Sequence, residues 1–160
     1  SHMIDEGVEG VIVKISEGRT LSELHSKHIA AASARGLSWG VYCYTHAQTT
    51  ERAEEEAAAV ISALETLGYG SPPLGIWIDV EAPEVIGQDP DDVTASCSAF
   101  ISTCNAAGYS AGVYASLSTL TVTMKIMMKK RENWPIKFMR VLIKKSFVQQ
   151  KRMGKSYMKI

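Results

Sequence analysis

One pattern recurs along this chain: a glycine, a short run of β-forming residues, then polar residues. The copies are GVIVKISEG (10–18), GVYCYTHA (40–47), GIWIDVEAP (75–83) and GVYASLS (112–118). Their leading glycines, Gly10, Gly40, Gly75 and Gly112, stand 30, 35 and 37 residues apart. The stretches between them read as helices, at about 21–35, at 50–67 and at 91–107. In the middle one, Ala57, Val60, Ile61, Leu64 and Leu67 follow helical spacing, with Glu and Arg on the outer face. LGYG (67–70) and AAGYSAG (106–112) supply glycines where the second and third helices should stop. Strand, helix, strand at this interval is the signature of βαβ units and a parallel sheet, so the expected fold class is α/β. Functional groups in such folds gather at the carboxyl ends of the strands. Each run turns polar there, at Ser16-Glu17, Thr45-His46, Asp79-Glu81 and Ser116.

The third run carries two carboxylates where a buried strand should be ending. Residues two apart on a strand share a face, so Trp77, Asp79 and Glu81 point one way. Ile76, Ile78 and Val80 point the other way, into an apolar layer. Two close carboxylates repel, which raises the pKa of one of them. Such a pair weakens a core and suits acid/base chemistry. The plain alternative is a salt-bridged pair at the rim.

At 160 residues the chain is long enough for one domain with a core of its own. No apolar run reaches the ~18 residues of a membrane span, so no membrane partner is expected. Ser1-His2-Met3 reads as a cloning scar, so a secretion signal is not on display. Cys43, Cys97 and Cys104 lack metal-like spacing, and their odd number argues against a disulfide framework. Cys97 and Cys104 lie on one helix face and read as small core residues. No pair of histidines has metal spacing either; the expectation is no metal and no cofactor.

The net charge of zero hides an asymmetry. Residues 1–122 hold 5 Lys+Arg against 16 Asp+Glu, whereas residues 123–160 hold 12 against 1, Glu132. The second stretch also has six of the seven methionines, one glycine (Gly154) and no alanine. The expected organisation is an α/β domain over 4–122 and a basic, Met-rich tail over 123–160. The abrupt change reads as a frame-shifted or foreign segment.

In order and interval, the four runs resemble those of the glycoside hydrolase family 25 lysozymes, the muramidases of bacteria and phages. The resemblance covers roughly residues 7–120. GVIVKISEG is similar to the family's second-strand motif, which reads like FVIIKATEG; GVYCYTHA resembles its third strand. GIWIDVEAP resembles its fourth strand, with the DxE motif, and GYSAGVYAS (108–116) its fifth. The resemblance implies a partial TIM-type (β/α) barrel, strands two to five of the pattern. It implies cleavage of the β-1,4 bond between N-acetylmuramic acid and N-acetylglucosamine. Glu81 would be the general acid that protonates the leaving oxygen. Asp79 would stabilise positive charge at the sugar C1, or orient the N-acetyl group for internal attack. Glycoside cleavage asks for such a protonated carboxyl beside an ionised one. The family's GIDVS-like first strand has no match: Asp5 lies in IDEGVEG and is not equated with that strand's Asp. The later WVAQY- and WQYS-like strands have no match in 123–160 either.

Further candidates frame the pair. Glu17 closes the first run and either bonds a neighbouring loop or meets the substrate. Tyr42, Tyr44 and Tyr114 alternate along their strands and either stack on sugar or fill the barrel lumen, Tyr44 and Tyr114 being the stronger substrate candidates. Trp77 reads as barrel filling rather than a sugar platform, His46 as a solvated loop histidine rather than a rim ligand, and His25 and His28 as surface residues of a helix. The expected partner is the glycan strand of peptidoglycan, met by a secreted or cell-wall-associated protein. The bare edges of a half barrel point to a homo-oligomer. Two rival readings are a non-catalytic cell-wall glycan-binding module and a nucleic-acid binder acting through the basic tail.

Overall fold

The computed structural model describes residues 9–116, Thr119 and two short strands at 141–143 and 157–159. Asp5 lies outside the described residues, and so does the basic tail apart from those strands. Along the chain come β1 (Gly10–Glu17), β2 (Thr20–Leu21), α1 (His25–Ser33), β3 (Ser38–Tyr44) and α2 (Thr50–Leu67). Then follow β4 (Ile76–Asp79), α3 (Pro83–Ile86), α4 (Pro90–Ala106), β5 (Ala111–Ala115), β6 (Val141–Ile143) and β7 (Tyr157–Lys159). They form one sheet in the order β2-β1-β3-β4-β5-β6, with β7 also against β1. The four glycine-led runs are β1, β3, β4 and β5, all parallel, as their spacing predicts. β6 continues the parallel set, while β2 and β7 run antiparallel to β1.

Among the described residues no pairing joins β6 to β2 or β7, so the sheet is an open arc and not a closed barrel. The edges of β1 and β5, expected to stand bare, are covered by β2 and β7 on one side and by β6 on the other. β1 and β5 therefore offer no bare edge for self-association along these paired stretches.

Period-two alternation divides the side chains between two layers. Val11, Val13, Val41, Ile76, Ile78 and Val113 pack against Ile29, Val60, Leu64 and Phe100 of the helices. Each such side chain, fully buried, contributes about 1.5–3 kcal/mol. The other face of the sheet carries a smaller cluster, Ile12, Trp77 and Tyr114, with Tyr42 and Leu74 against it. Trp77 thus fills the lumen, and its indole N–H donates to the Leu74 carbonyl at 2.8 Å. The three cysteines are free and buried.

Gly10 and Gly40 have a steric cause. A Cβ on Gly40 would lie 2.7 Å from Ile12 Cδ1 and 2.9 Å from the Gly75 carbonyl oxygen. On Gly10 it would lie 2.8 Å from Leu74 Cδ1. The amino ends of β1 and β3 are packed too tightly for a side chain there.

Helix ends follow local chemistry. The Thr49 hydroxyl accepts the Arg52 N–H at 3.2 Å, and Gly68, at φ +66°, closes α2. The Asp89 carboxylate accepts the Asp91 N–H at 2.8 Å ahead of α4, and Gly108, at φ +85°, follows its end. The first helix is shorter than its expected span of 21–35. Gly18, at φ +54°, turns the chain back, and Thr20–Leu21 pairs with Ser16 and Glu17 before α1 starts at His25. Both His25 and His28 are half-buried rather than on the open surface.

Candidate active site

Glu17, Tyr44, Asp79 and Tyr114 are successive register partners across β1, β3, β4 and β5. They form one row near the carboxyl ends of the strands. The row toward the amino ends is Lys14, Tyr42, Trp77 and Gly112. Six sequence candidates thus fall together: four in the upper row, Tyr42 in the lower, and Glu81 two residues beyond Asp79. Backbone bonds extend the ladder past the strand ends. Gly18 N–H donates to the Tyr44 carbonyl (2.8 Å), Thr45 N–H to that of Asp79 (3.0 Å) and Val80 N–H to that of Tyr114 (2.9 Å).

Glu17 reaches this row through a β-bulge. The register of β1 against β3 slips between Lys14 and Ser16, leaving Ile15 as the extra residue. Beyond it the alternation inverts, so Lys14 and Glu17, three apart, face the same side and meet at 2.6 Å. Ser16 turns to the helix side as the partner of Cys43. The Lys14 ammonium lies 5.4 Å from the centre of the Tyr44 ring.

The two carboxylates differ in access. Asp79 is 4% exposed, and Glu81 is half-buried. Their charges act on the surrounding phenols. Burial pushes Tyr114 up to about 12, with Glu81 and Asp79 adding to the push. Tyr42 and Tyr44 are also raised, by burial first and then by Asp79 and Glu81. All three phenols therefore keep their protons at neutral pH and can donate hydrogen bonds. Tyr42 and Tyr114 belong to the lumen cluster, whereas Tyr44 stands half-buried at the rim.

His46 stands partly exposed on the loop after β3, as its sequence position suggests, but its ring is engaged on both sides. Its Nε2 meets Glu17 Oε1 at 3.3 Å, its Nδ1 meets Glu84 Oε1, and its ring lies edge-on to Tyr44 with centroids 5.4 Å apart. The Glu84 hydrogen bond, then that of Glu17, raises the imidazole pKa against the opposing effect of burial. Glu84 is lowered chiefly by His46, and Glu17 by Lys14 and then His46. Each shift favours an imidazolium between two carboxylates.

Glu56 is the residue that sequence reading missed. The helical pattern of 50–67 sets Glu and Arg on the outer face of α2, yet Glu56 is fully buried beside Ala53, Ala57 and Val60. Its carboxylate accepts from the Thr45 hydroxyl at 2.7 Å and from the His46 backbone N–H at 3.3 Å. Arg52 Nε lies 3.6 Å away. The signal was available: Glu56 stands three after Ala53 and four before Val60, on the apolar stripe.

A cleft of about 620 Å³ opens beside the β1 end of the rim, lined by Glu17, Gly18, Arg19, Thr20, His46 and Arg52. It contains neither Asp79 nor Glu81. Arg19 and Arg52 there are engaged by Glu55 at 2.9 and 3.5 Å.

Comparison with solved structures returns the same fold. The modular autolysin LytC of Streptococcus pneumoniae, solved with a synthetic peptidoglycan ligand, superposes with a TM-score of 0.68 at 25% identity. That match covers 77% of this chain and 30% of the autolysin. The CTP1L endolysin matches with a TM-score of 0.67 at 23% identity, over 89% of this chain and 46% of its own. A family GH25 lysozyme from Aspergillus fumigatus matches with a TM-score of 0.60 at 18% identity, over 77% and 62%. The chain therefore spans less than two thirds of the length of each of these relatives. No curated protein matches it in sequence. The model of the glycosyl hydrolases family 25 matches residues 1–141, and the chain belongs to that family.

Proposed function

We propose that this chain is a muramidase domain that cleaves peptidoglycan glycan strands at the bacterial cell wall, with Glu81 and Asp79 as its catalytic pair. The observation that carries the reading is the difference in access between two carboxylates at the end of one strand. Glu81, half-buried, is open enough to reach a glycosidic oxygen and deliver a proton. Asp79, buried within the row of phenols, is placed to face positive charge at the sugar C1, or to hold the N-acetyl group. Tyr44, protonated and at the rim, donates to sugar hydroxyls or stacks on a ring face. Tyr42 and Tyr114 shape the floor beneath it. The synthetic peptidoglycan ligand of the autolysin, and the names endolysin and lysozyme of the other two relatives, support the same substrate.

The test is dye release from purified bacterial cell walls. Glu81→Gln keeps the shape and removes the proton donor, so turnover should fall by roughly 10²–10⁴. Turnover equal to that of the parent would overturn the assignment of Glu81. Retention on cell walls with no turnover by the parent would favour the non-catalytic glycan-binding module.

A further inference from the structure

We propose that His46 is a positioning residue: by bridging Glu17 and Glu84 it clamps the turn that carries Glu81 to the ends of β1 and β3. The inference rests on the muramidase reading for its effect on rate, and on geometry for the clamp itself.

Glu81 lies in the segment between the end of β4 at Asp79 and the start of α3 at Pro83. α3 is only one turn long, so its own hydrogen bonds hold that segment weakly. The turn after β3 holds it from outside. The His46 imidazole meets Glu84 in the first turn of α3, and Gln48 Nε2 donates to the Glu84 carbonyl at 3.3 Å. Gln88 Nε2 returns a bond to the Gln48 carbonyl at 3.0 Å. On its other side the same imidazole meets Glu17, which Lys14 holds at 2.6 Å.

The turn that delivers His46 is itself anchored in the core. The buried Glu56 accepts the His46 N–H and the Thr45 hydroxyl, and Thr45 Oγ1 accepts the Ala47 N–H at 3.0 Å. The charged and titratable groups around the imidazole are Lys14 and Glu17 of β1, Tyr44 of β3, Arg52 and Glu56 of α2, and Glu84 of α3. Both acceptors on the ring are carboxylates, so a protonated imidazole can donate to both at once, and a neutral one to only one. The clamp is therefore complete only while His46 carries its second proton.

Two measurements test this on the full chain. In cell-wall hydrolysis, His46→Ala should lower kcat by about tenfold to a hundredfold, the scale on which misplacing a reacting group slows a reaction. KM should change little, and Glu84→Gln should reproduce part of the loss. The double variant should be no slower than His46→Ala alone, since both break one bridge. In NMR, the ring of His46 should titrate above an ordinary histidine in the parent and fall back toward it in Glu84→Gln. Amide exchange at Val85 and Ile86, which donate to the Ala82 carbonyl at 2.9 and 3.0 Å, should quicken in His46→Ala. His46→Gln serves if the alanine variant fails to fold. A kcat within twofold of the parent, or unchanged exchange at Val85 and Ile86, would overturn the clamp. If the parent itself has no hydrolytic activity, the muramidase reading fails, while the titration and exchange still decide whether the bridge exists.

Discussion

Tyr44 and Asp79 face each other as register partners at the last residues of two parallel strands, and the N–H of the residue after Tyr44 donates to the Asp79 carbonyl at 3.0 Å. A phenol and a carboxylate are thus set side by side by backbone alone, before any side-chain bond is counted. Sites built on strands hold their groups more narrowly than sites on loops.

Asp79→Asn removes one of the two carboxylates of the row, Glu17 remaining, and leaves its shape. Under the proposed reading, turnover on cell walls should fall by about 10²–10³, the usual cost of losing one charge-stabilising group. The phenols report the same change. Tyr114, at about 12, and its two neighbours should titrate lower, though burial, the larger cause, keeps them above the ordinary 10. Ultraviolet titration of tyrosinate checks this; unmoved phenols would place Asp79 away from them.

Glu56→Ala should destabilise the domain through its orphaned partners. The Thr45 hydroxyl is buried with Glu56, and each buried donor left unpaired costs about 1–3 kcal/mol. Urea denaturation of the variant should show a lower midpoint at similar slope. Glu56→Gln, which keeps an acceptor oxygen, should recover part of the loss. Equal stability of parent and Glu56→Ala would mean water replaces the carboxylate.

The His46 bridge should leave a mark on stability against pH. The folded-state pKa of His46 is raised above 6.5, so its contribution is complete below pH 6.5 and fades as pH rises through the raised value. Glu17 and Glu84 are lowered below 4.5, so theirs is complete above pH 4.5 and fades as pH falls through the lowered values. The difference in Tm between the parent and His46→Gln should therefore be greatest between pH 4.5 and 6.5. Because these groups are largely exposed, the effect should also shrink with added salt. A difference independent of pH would count against the bridge.

Gly40→Ala should destabilise more than Gly10→Ala. At Gly40 the new Cβ would meet the Gly75 carbonyl oxygen at 2.9 Å as well as Ile12, and backbone cannot rotate away. At Gly10 the nearest atom is the end of the Leu74 side chain, although the Ser38 carbonyl oxygen is 3.1 Å off. Overpacking of this kind costs about 1–3 kcal/mol. Thermal unfolding of the two variants ranks them directly.

What the sequence determined by itself is what local periodicity and interval can carry. Alternation placed Trp77 and Asp79 on one face of β4 and Ile76 and Ile78 on the other, and the structure divides them that way. Three helices between four glycine-led runs led to the parallel order β1-β3-β4-β5. Glu17 shows where that kind of reading stops. Unbroken alternation from Lys14 would put Ser16 in the row and Glu17 outside it; only the bulge at Ile15, a mismatch between two strands, reverses this. The pairing of His46 is not legible in the sequence because its partners, Glu17 and Glu84, lie 29 and 38 residues away, beyond any local pattern. The apolar stripe of α2 already marks Glu56 for burial; what only the tertiary fold supplied is Thr45 and the His46 backbone, whose donors make a buried carboxylate tolerable. Periodicity reports which way a side chain leaves its own strand or helix; register, bulges and burial depend on a second segment, and only the folded chain brings that segment into place.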